Sequence, residues 1–387
     1  MSATVPPPPQ TTAAEADRAS RNAALALTAT LPGDTLLYLL LPLYAAEFGV
    51  TLPEAGLLLA ANRLVRIAGY GWVARFYADR GPRAACLAAT IGAILSTLIY
   101  ATLSGVWALL IGRLLWGLAF AAMNIANHAL PTAVVQGAAQ RTGRARAIIA
   151  IGPTVGLLGG AVLAVYYGPR AVFLALAVVA CLGPLFALRL PFHREPSARG
   201  GPRFERPGPI SLWSFTMGFT LDGLFMFGLG LLAAASYPKG AVIAAGVAMS
   251  LRYVTEIVFS SAGGAIADRH GARRVLVILS FMTAAALALL SASGLLLWLA
   301  AAAAIIFRAM AQPLVPPVVA AAFPGPARVP ALARQATWRD IGAGTGPLVA
   351  GIAFPLLPTF AIYGGAALMV VAVTVVLARA AGERTSG

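Results

Sequence analysis

The stretch Gly264-Ala265-Ile266-Ala267-Asp268-Arg269-His270-Gly271-Ala272-Arg273-Arg274 decides the fold. It is a short, strongly charged gap between two apolar runs, each long enough to cross the hydrocarbon core of a bilayer. Asp268 can accept hydrogen bonds from the N-terminus of a neighbouring helix and pair with Arg269 or Arg273. A loop that merely marked topology would need only the positive charge. A glycine, an Asp-Arg pair and a second glycine at fixed places ask for a specific contact, one that holds in one state and breaks in another.

A second copy of the pattern lies upstream. Asp79-Arg80-Gly81-Pro82-Arg83 follows Ala78, one residue shorter, with Arg75 where the first copy has Gly264. Sixteen residues before the two aspartates stand Arg63 and Arg252. Gly33-Asp34 is answered by Asp222-Gly223 within one residue of the same offset, and Gly152-Pro153 by Gly346-Pro347. Four matches in one order point to duplication of a six-helix unit.

The rest of the chain fits that unit. Apolar runs recur at 23–47, 54–75, 84–103, 106–129, 146–167 and 170–190, then at 211–236, 240–264, 274–293, 295–320, 334–356 and 358–379. The expected fold is an all-α membrane protein of twelve transmembrane helices, arranged as two pseudo-symmetric six-helix bundles. The expected parts are a disordered tail 1–22 with the proline run Pro6 to Pro9, a bundle 23–190, a linker 191–210, a bundle 211–380 and a tail 381–387. Charged residues are 11% of the chain, against roughly 25% in soluble domains, too few to cover a soluble surface. The net charge of +15 sits in short gaps rather than along a groove, which argues against nucleic acid. Arg75, Arg80, Arg83, Arg141, Arg144, Arg146, Arg269, Arg273, Arg274, Arg328, Arg334 and Arg339 fall in or beside alternate gaps, with Arg194, Arg199, Arg203 and Arg206 in the linker. The opposite gaps hold Arg170, Lys239, Glu47 and Glu54. The positive-inside rule then puts both termini in the cytoplasm, and the expected location is the cell (inner) membrane.

These motifs resemble the major facilitator superfamily over residues 23–380. The segment Gly264 to Arg274 fits that family's loop signature, with the copy Asp79 to Arg83 a shorter variant. Arg113-Leu114-Leu115-Trp116-Gly117 resembles its buried arginine followed by glycine. Gly152-Pro153-Thr154-Val155-Gly156, with Gly159 and Gly160, resembles in part the glycine-proline signature of drug–proton antiporters. The resemblance implies two bundles rocking about a midplane cavity, with Asp79, Arg80, Arg83, Gly264, Asp268, Arg269, Gly271, Arg273 and Arg274 as gate residues. Gly152, Pro153, Gly346 and Pro347 are expected at helix bends, although glycine there can equally serve close packing.

Charges inside apolar runs carry the chemistry, since each costs about 2.5–3.5 kcal/mol at the bilayer centre. Asp34 and Asp222 lie near mid-depth in the first and seventh spans and are the expected proton-coupling acids, Asp34 ahead of Asp222. Arg63 and Arg66 share a helix face with Asn62 and Tyr70. With Arg113, Arg252, Glu256 and Arg308 these form the expected substrate site; Arg252–Glu256 at i,i+4 and Arg113 can also be read as structural ties. Arg63 is the expected partner of Asp34, and Asp340 is read as a boundary anchor beside Trp338 and Arg339.

Five arginines against three acids favour a substrate with anionic groups, a carboxylate metabolite or a metal chelator. The function expected is proton-coupled export of a small anionic or amphipathic molecule by alternating access. The alternatives are a broad drug–proton antiporter for lipophiles and a proton-coupled importer. The partners expected are a small-molecule substrate, protons and the lipid bilayer, with no nucleic acid and a monomeric chain. Cys86, Cys181, His128, His193 and His270 are scattered, so no metal and no cofactor is expected. No clustered acids, Ser–His pair or paired histidines suggest an enzyme. No phosphate-binding glycine loop is present, so a gradient must supply the energy.

Overall fold

The computed structural model describes residues 11–192, 206–229 and 241–385, and every regular element among them is helical. The α-helices are α1 (Ala13–Leu43), α2 (Leu52–Thr102), α3 (Val106–Ala129), α4 (Ala138–Ala180), α5 (Leu182–Ala187) and α6 (Pro209–Met217). After α6 a π-helical stretch, Gly218–Phe225, continues the same rod. Then come α7 (Ala241–His270), α8 (Ala272–Leu289), α9 (Leu295–Ala311), α10 (Val315–Ala322), α11 (Arg328–Leu356) and α12 (Thr359–Thr385).

Local chemistry sets where these helices begin. The Thr12 hydroxyl accepts from the Glu15 N–H at 3.3 Å, and the Glu15 carboxylate accepts from the Thr12 N–H at 2.8 Å. This reciprocal capping box starts α1 at Ala13. The segment 13–22, expected as disordered tail, is therefore helical, while residues 1–10 lie outside the described ones. Thr51 and Glu54 open α2 in the same way. At the other end α12 runs to Thr385, so most of the expected tail 381–387 is helix as well. The expected linker and the end of the seventh span fall largely on 193–205 and 230–240, outside the described residues.

Two of the helices exceed one crossing. At 1.5 Å per residue the 51 residues of α2 would run about 77 Å, against a hydrocarbon core of about 30 Å. Gly81 (φ 81°, ψ 167°) breaks α2, and Gly168 (φ 78°, ψ 162°) breaks α4. Positive φ is glycine's territory, and the prolines that follow, Pro82 and Pro169, bar the α conformation at the residue before them and open the next helix. The expected gaps there shrink to single residues.

Among the described residues eight helices are long and apolar enough to cross a membrane. The helix α11 is not one of these, because Arg328, Arg334, Arg339 and Asp340 crowd its first half. Small residues bring the helices together, as expected where no water drives association. On α4, Gly152, Gly156 and Gly160 face Thr28, Pro32 and Leu36 of α1, and a Cβ at any of them would collide with that helix. On α11, Gly342 and Gly346 lie in the same way against Phe215 and Phe219. The glycine-proline pairs sit at these contacts. The one non-helical residue inside α4 is Gly168, and the rod passes through Pro153 unbroken.

Candidate functional site

A cavity of about 230 Å³ lies among α1, α2, α3, α4, the π-helical stretch, α7 and α11. Five arginines (Arg63, Arg66, Arg146, Arg252, Arg339) and four acids (Asp34, Asp222, Glu256, Asp340) line it. Arg113 and Arg308 stand behind the acids, 0% and 1% exposed. Charge this deep needs partners, and the wall is organised around three acid centres.

The first centre belongs to residues before 130. Arg113 of α3 pairs with Asp34 of α1 through Nη1, and Asn62 of α2 donates to the same carboxylate oxygen at 3.2 Å. The remaining guanidinium donors go to the Leu58 carbonyl (3.1 Å), the Leu59 carbonyl (3.3 Å) and the Tyr38 hydroxyl (3.3 Å). Gly117, one turn along from Arg113, makes this possible. A Cβ there would overlap Val65 and the Asn62 carbonyl, so only glycine lets α3 approach α2 closely enough for Arg113 to reach those carbonyls. The partner of Asp34 is thus Arg113, in place of the expected Arg63. Helix spacing along the chain cannot say which way Asp34 faces; in the structure it faces Arg113 of α3.

The second centre is denser. Asp222 projects from the π-helical stretch and takes Arg308 Nε at 2.7 Å, Arg308 Nη2 at 2.5 Å and Arg339 Nη2 at 2.6 Å. Arg252 Nη2 stands 4.0 Å away. Arg308 Nη1 reaches Glu256 at 2.6 Å, and Arg146 Nη2 reaches it at 3.2 Å. The expected Arg252–Glu256 pair is present at 3.9 Å, and with the 4.0 Å approach of Arg252 to Asp222 it is among the loosest contacts of the set. π-Helical turns of this kind cluster at functional sites because they re-aim a side chain.

The third centre joins the two parts of the chain. Asp340 of α11 receives Arg66 Nε at 3.1 Å and the Tyr70 hydroxyl at 3.1 Å, both from α2. Asn124 donates to that hydroxyl at 3.4 Å, and the Arg66 guanidinium lies 4.6 Å over the Phe120 ring. Asp340 is 5% exposed, so the expected boundary anchor is a buried cross-link. Its helix begins at Arg328, a dozen residues earlier, which carries Asp340 well into the wall.

Of the substrate residues expected, Asn62, Arg63, Arg66, Arg252 and Glu256 line the cavity, and Tyr70, Arg113 and Arg308 stand behind it. Arg63 is unlike the others. It has no carboxylate partner among the described residues, and its Nη1 is buried without a hydrogen bond. Sequence reasoning passed over Arg146, Arg339 and Asp340. The signal lay in helix length, since α4 starts at Ala138 and puts Arg146 two turns inside rather than in a gap.

The loop motif makes a contact of its own. The Asp268 carboxylate accepts from the backbone N–H groups of Ala139 (3.1 Å) and Gln140 (2.9 Å), the first turn of α4. Gly137 precedes that helix and offers no side-chain cap, so a residue from α7 supplies one. Gly264, one turn before Asp268, abuts Ala139 with no room for a Cβ, and Gly143 abuts Ser260. Arg328 adds a bond to the Thr132 carbonyl at 2.5 Å. Gly271 (φ 89°) then turns the chain into α8, where Arg273 donates to the Leu377 carbonyl. Arg269 and Arg274 are exposed. In the other copy Asp79 and Arg80 are exposed, and Asp79 makes no hydrogen bond or ion pair with a described residue. Arg83 donates to the Leu188 carbonyl and stacks 3.9 Å over the Phe192 ring.

The human organic anion transporter MFSD10 (TETRAN) superposes with a TM-score of 0.73 at 18% identity, over 94% of this chain and 99% of its own. A variant of the Escherichia coli fucose:proton symporter FucP superposes with a TM-score of 0.67 at 13% identity, over 95% of this chain and 98% of its own. At such identities the likeness is one of fold. No curated protein matches the sequence. Residues 23–238, more than half the chain, match the Major Facilitator Superfamily. The protein is accordingly a multi-pass membrane transporter and not an enzyme, and it belongs to the Major Facilitator Superfamily.

Proposed function

We propose that the protein is a proton-coupled secondary transporter of a small organic anion, moving anion and proton in the same direction. The observation that carries the reading is Arg63, a cavity arginine with no carboxylate partner among the described residues, in a wall where arginines already outnumber acids. An arginine so placed offers a planar fork to a carboxylate. Coupling follows from charge balance. A proton on Asp34 cancels the charge that Arg113 now faces, so the cavity becomes more positive by one unit. An anion then binds more tightly, and by linkage its binding favours the proton. With one proton moved per monoanion no net charge crosses, so the pH difference supplies the drive, about 1.4 kcal/mol per pH unit.

The frame for this chemistry is twelve spans in two bundles, 23–190 and 211–380, with both termini cytoplasmic. The alternating arginine-rich gaps support it, as does the recurrence of one glycine contact, α4 on α1 and α11 on the π-helical rod. Asp268 on α4, Arg328 on Thr132 and the Asp340 cross-link then close the cytoplasmic side, and opening inward requires all three to part. A second reading is proton antiport, that is, export of an amphipathic or lipophilic molecule. The stripe Gly152, Gly156, Gly160 on α1 favours it, because that is where the drug–proton antiporter signature falls.

Purified protein in vesicles separates the two. With an inward proton gradient, labelled carboxylates should accumulate inside and carry protons with them, and Arg63→Ala should weaken their apparent affinity about tenfold or more. The cotransport reading fails if lipophilic cations move outward against their gradient while carboxylates neither move nor compete.

A further inference from the structure

Five arginines line the substrate cavity and two more stand behind it, against four acids. Of the thirteen acids in the sequence, only Asp34, Asp222, Glu256 and Asp340 fall inside apolar runs; the rest lie at run ends, in gaps, in the expected linker or in the tails. Ion pairs occupy most of the arginines. Arg113 goes to Asp34, Arg66 goes to Asp340, and Arg308, Arg339 and Arg146 share Asp222 and Glu256. Arg63 and Arg252 remain. Arg63 has no carboxylate partner among the described residues, and its Nη1 is buried without a hydrogen bond. Arg252 stands 3.9 Å from Glu256 and 4.0 Å from Asp222, both beyond hydrogen-bond length, and its Nε is also buried without a bond.

These two arginines correspond. Each stands sixteen residues before an Asp-Arg motif, Arg63 before Asp79 and Arg252 before Asp268, and both line the same cavity. Their surroundings are separate. Arg252 lies beside Asp222 and Glu256, whereas the Arg63 stem lies against α11, where a Cβ on Gly344 would stand 3.7 Å from Arg63 Cδ. One small anionic group answers one guanidinium fork and leaves the other unanswered, while two such groups on one molecule answer both. Charge points the same way. The arginines, seven in and behind the wall, exceed the four acids by three. Uncompensated charge at this depth is costly, so a second negative charge on the ligand stabilises the loaded cavity further than one alone. The cavity of about 230 Å³ is smaller than the roughly 300–1,000 Å³ of pockets for drug-sized ligands, which suits a short molecule charged at both ends.

We propose that the substrate is a small dicarboxylate, with one carboxylate on Arg63 of α2 and the other on Arg252 of α7. The inference rests on the proposed anion transport and narrows its substrate class from any organic anion to one with two separate anionic groups. A proton on Asp34 adds to the cationic excess, and the second carboxylate is then held more tightly as well.

The test measures binding to the full chain in a neutral detergent by titration calorimetry. The probes are malonate, succinate and glutarate, each beside its monoamide, which has the same length and one carboxylate. In wild type the best-bound dicarboxylate should exceed its monoamide about tenfold or more in affinity, the worth of one charged hydrogen-bonded contact. Arg63→Gln and Arg252→Gln should each melt near the wild-type temperature, since neither arginine holds a carboxylate at hydrogen-bond length. Each should weaken that dicarboxylate about tenfold or more and bring the ratio of dicarboxylate to monoamide affinity close to one. Weakening of both ligands alike, with the ratio kept, would mark the arginine as structural and overturn the assignment. Equal binding of every dicarboxylate and its monoamide to wild type overturns the dicarboxylate inference and leaves anion transport standing. Binding of no carboxylate overturns both. Inorganic phosphate that binds more tightly than all three dicarboxylates overturns the inference in favour of a single, doubly charged head.

Discussion

Asp34 is held by one arginine and one amide, whereas Asp222 is held by two arginines at close range with a third at 4.0 Å, and it shares Arg308 with Glu256. The two acids stand at nearly the same offset before the two Asp-Arg motifs, yet their surroundings differ in what one proton can change. Neutralising Asp34 undoes a single pairing and leaves the neighbouring bonds to Leu58, Leu59 and Tyr38 in place. Neutralising Asp222 would leave Arg308, Arg339 and Arg252 crowded around a neutral group, with Glu256 alone to balance Arg308. On the proposed function the first centre is the one suited to switching, since a single arginine answers its acid. The two acids differ in how many cations surround each.

The largest effect expected from this contrast is at Arg308. Arg308→Met leaves Asp222 and Glu256 buried with their shared partner gone, at a cost of about 3–5 kcal/mol. Membrane abundance and the detergent melting temperature should both fall sharply. A variant that folds like wild type would break the contrast at its second term.

Next comes Asp34→Asn. The amide keeps the shape and a hydrogen-bond acceptor for Asn62 and Arg113, so abundance should stay near wild type. Accumulation driven by a pH gradient should drop at least tenfold while anion exchange without a gradient persists. Undiminished pH-driven accumulation would remove Asp34 from the coupling role, and the same measurement on Asp222→Asn would then show whether the assignments are reversed.

The smallest effect sharpens a second comparison, between the two loop copies. Asp268→Asn weakens a contact with the start of α4 that is worth about 0.3–2 kcal/mol, so transport should fall severalfold with little change in abundance. Asp79→Asn removes a charge that faces solvent and should transport like wild type. Equal loss in both variants would mean that Asp79 docks in another state as Asp268 does in this one.

Much of this was legible in the sequence, and the reasons differ by residue. Asp34, Arg113, Asp222 and Arg308 stand out because each interrupts an apolar run, where an ion must face protein or cavity. Gly264 and Asp268 are readable because a glycine one turn before an acid describes a helix that must come close and then cap its neighbour. Arg146, Arg339 and Asp340 were hidden by their position. Near the apparent end of a run, a charge that lines a cavity cannot be told from one that anchors a helix at the interface. The choice of Arg113 over Arg63 depends on how α1 and α3 are rotated about their axes, which periodicity does not record. The eight-residue π-helical stretch leaves no pattern that apolar spacing could show.

The partners of Asp268 on α4 are main-chain amides, and that has an evolutionary consequence. Every amino acid but proline carries the same N–H, so the bond itself does not fix the side chains at 139 and 140; buried Ala139 is held small by packing, whereas half-buried Gln140 can vary in polarity and charge. The acid has no such freedom, and neither does Gly264, which must stay small for the approach. One face of the latch is therefore written in the sequence and the other in the backbone. Related chains should keep the first and vary the second, and a partner sought by looking for residues that change together with Asp268 will not be found.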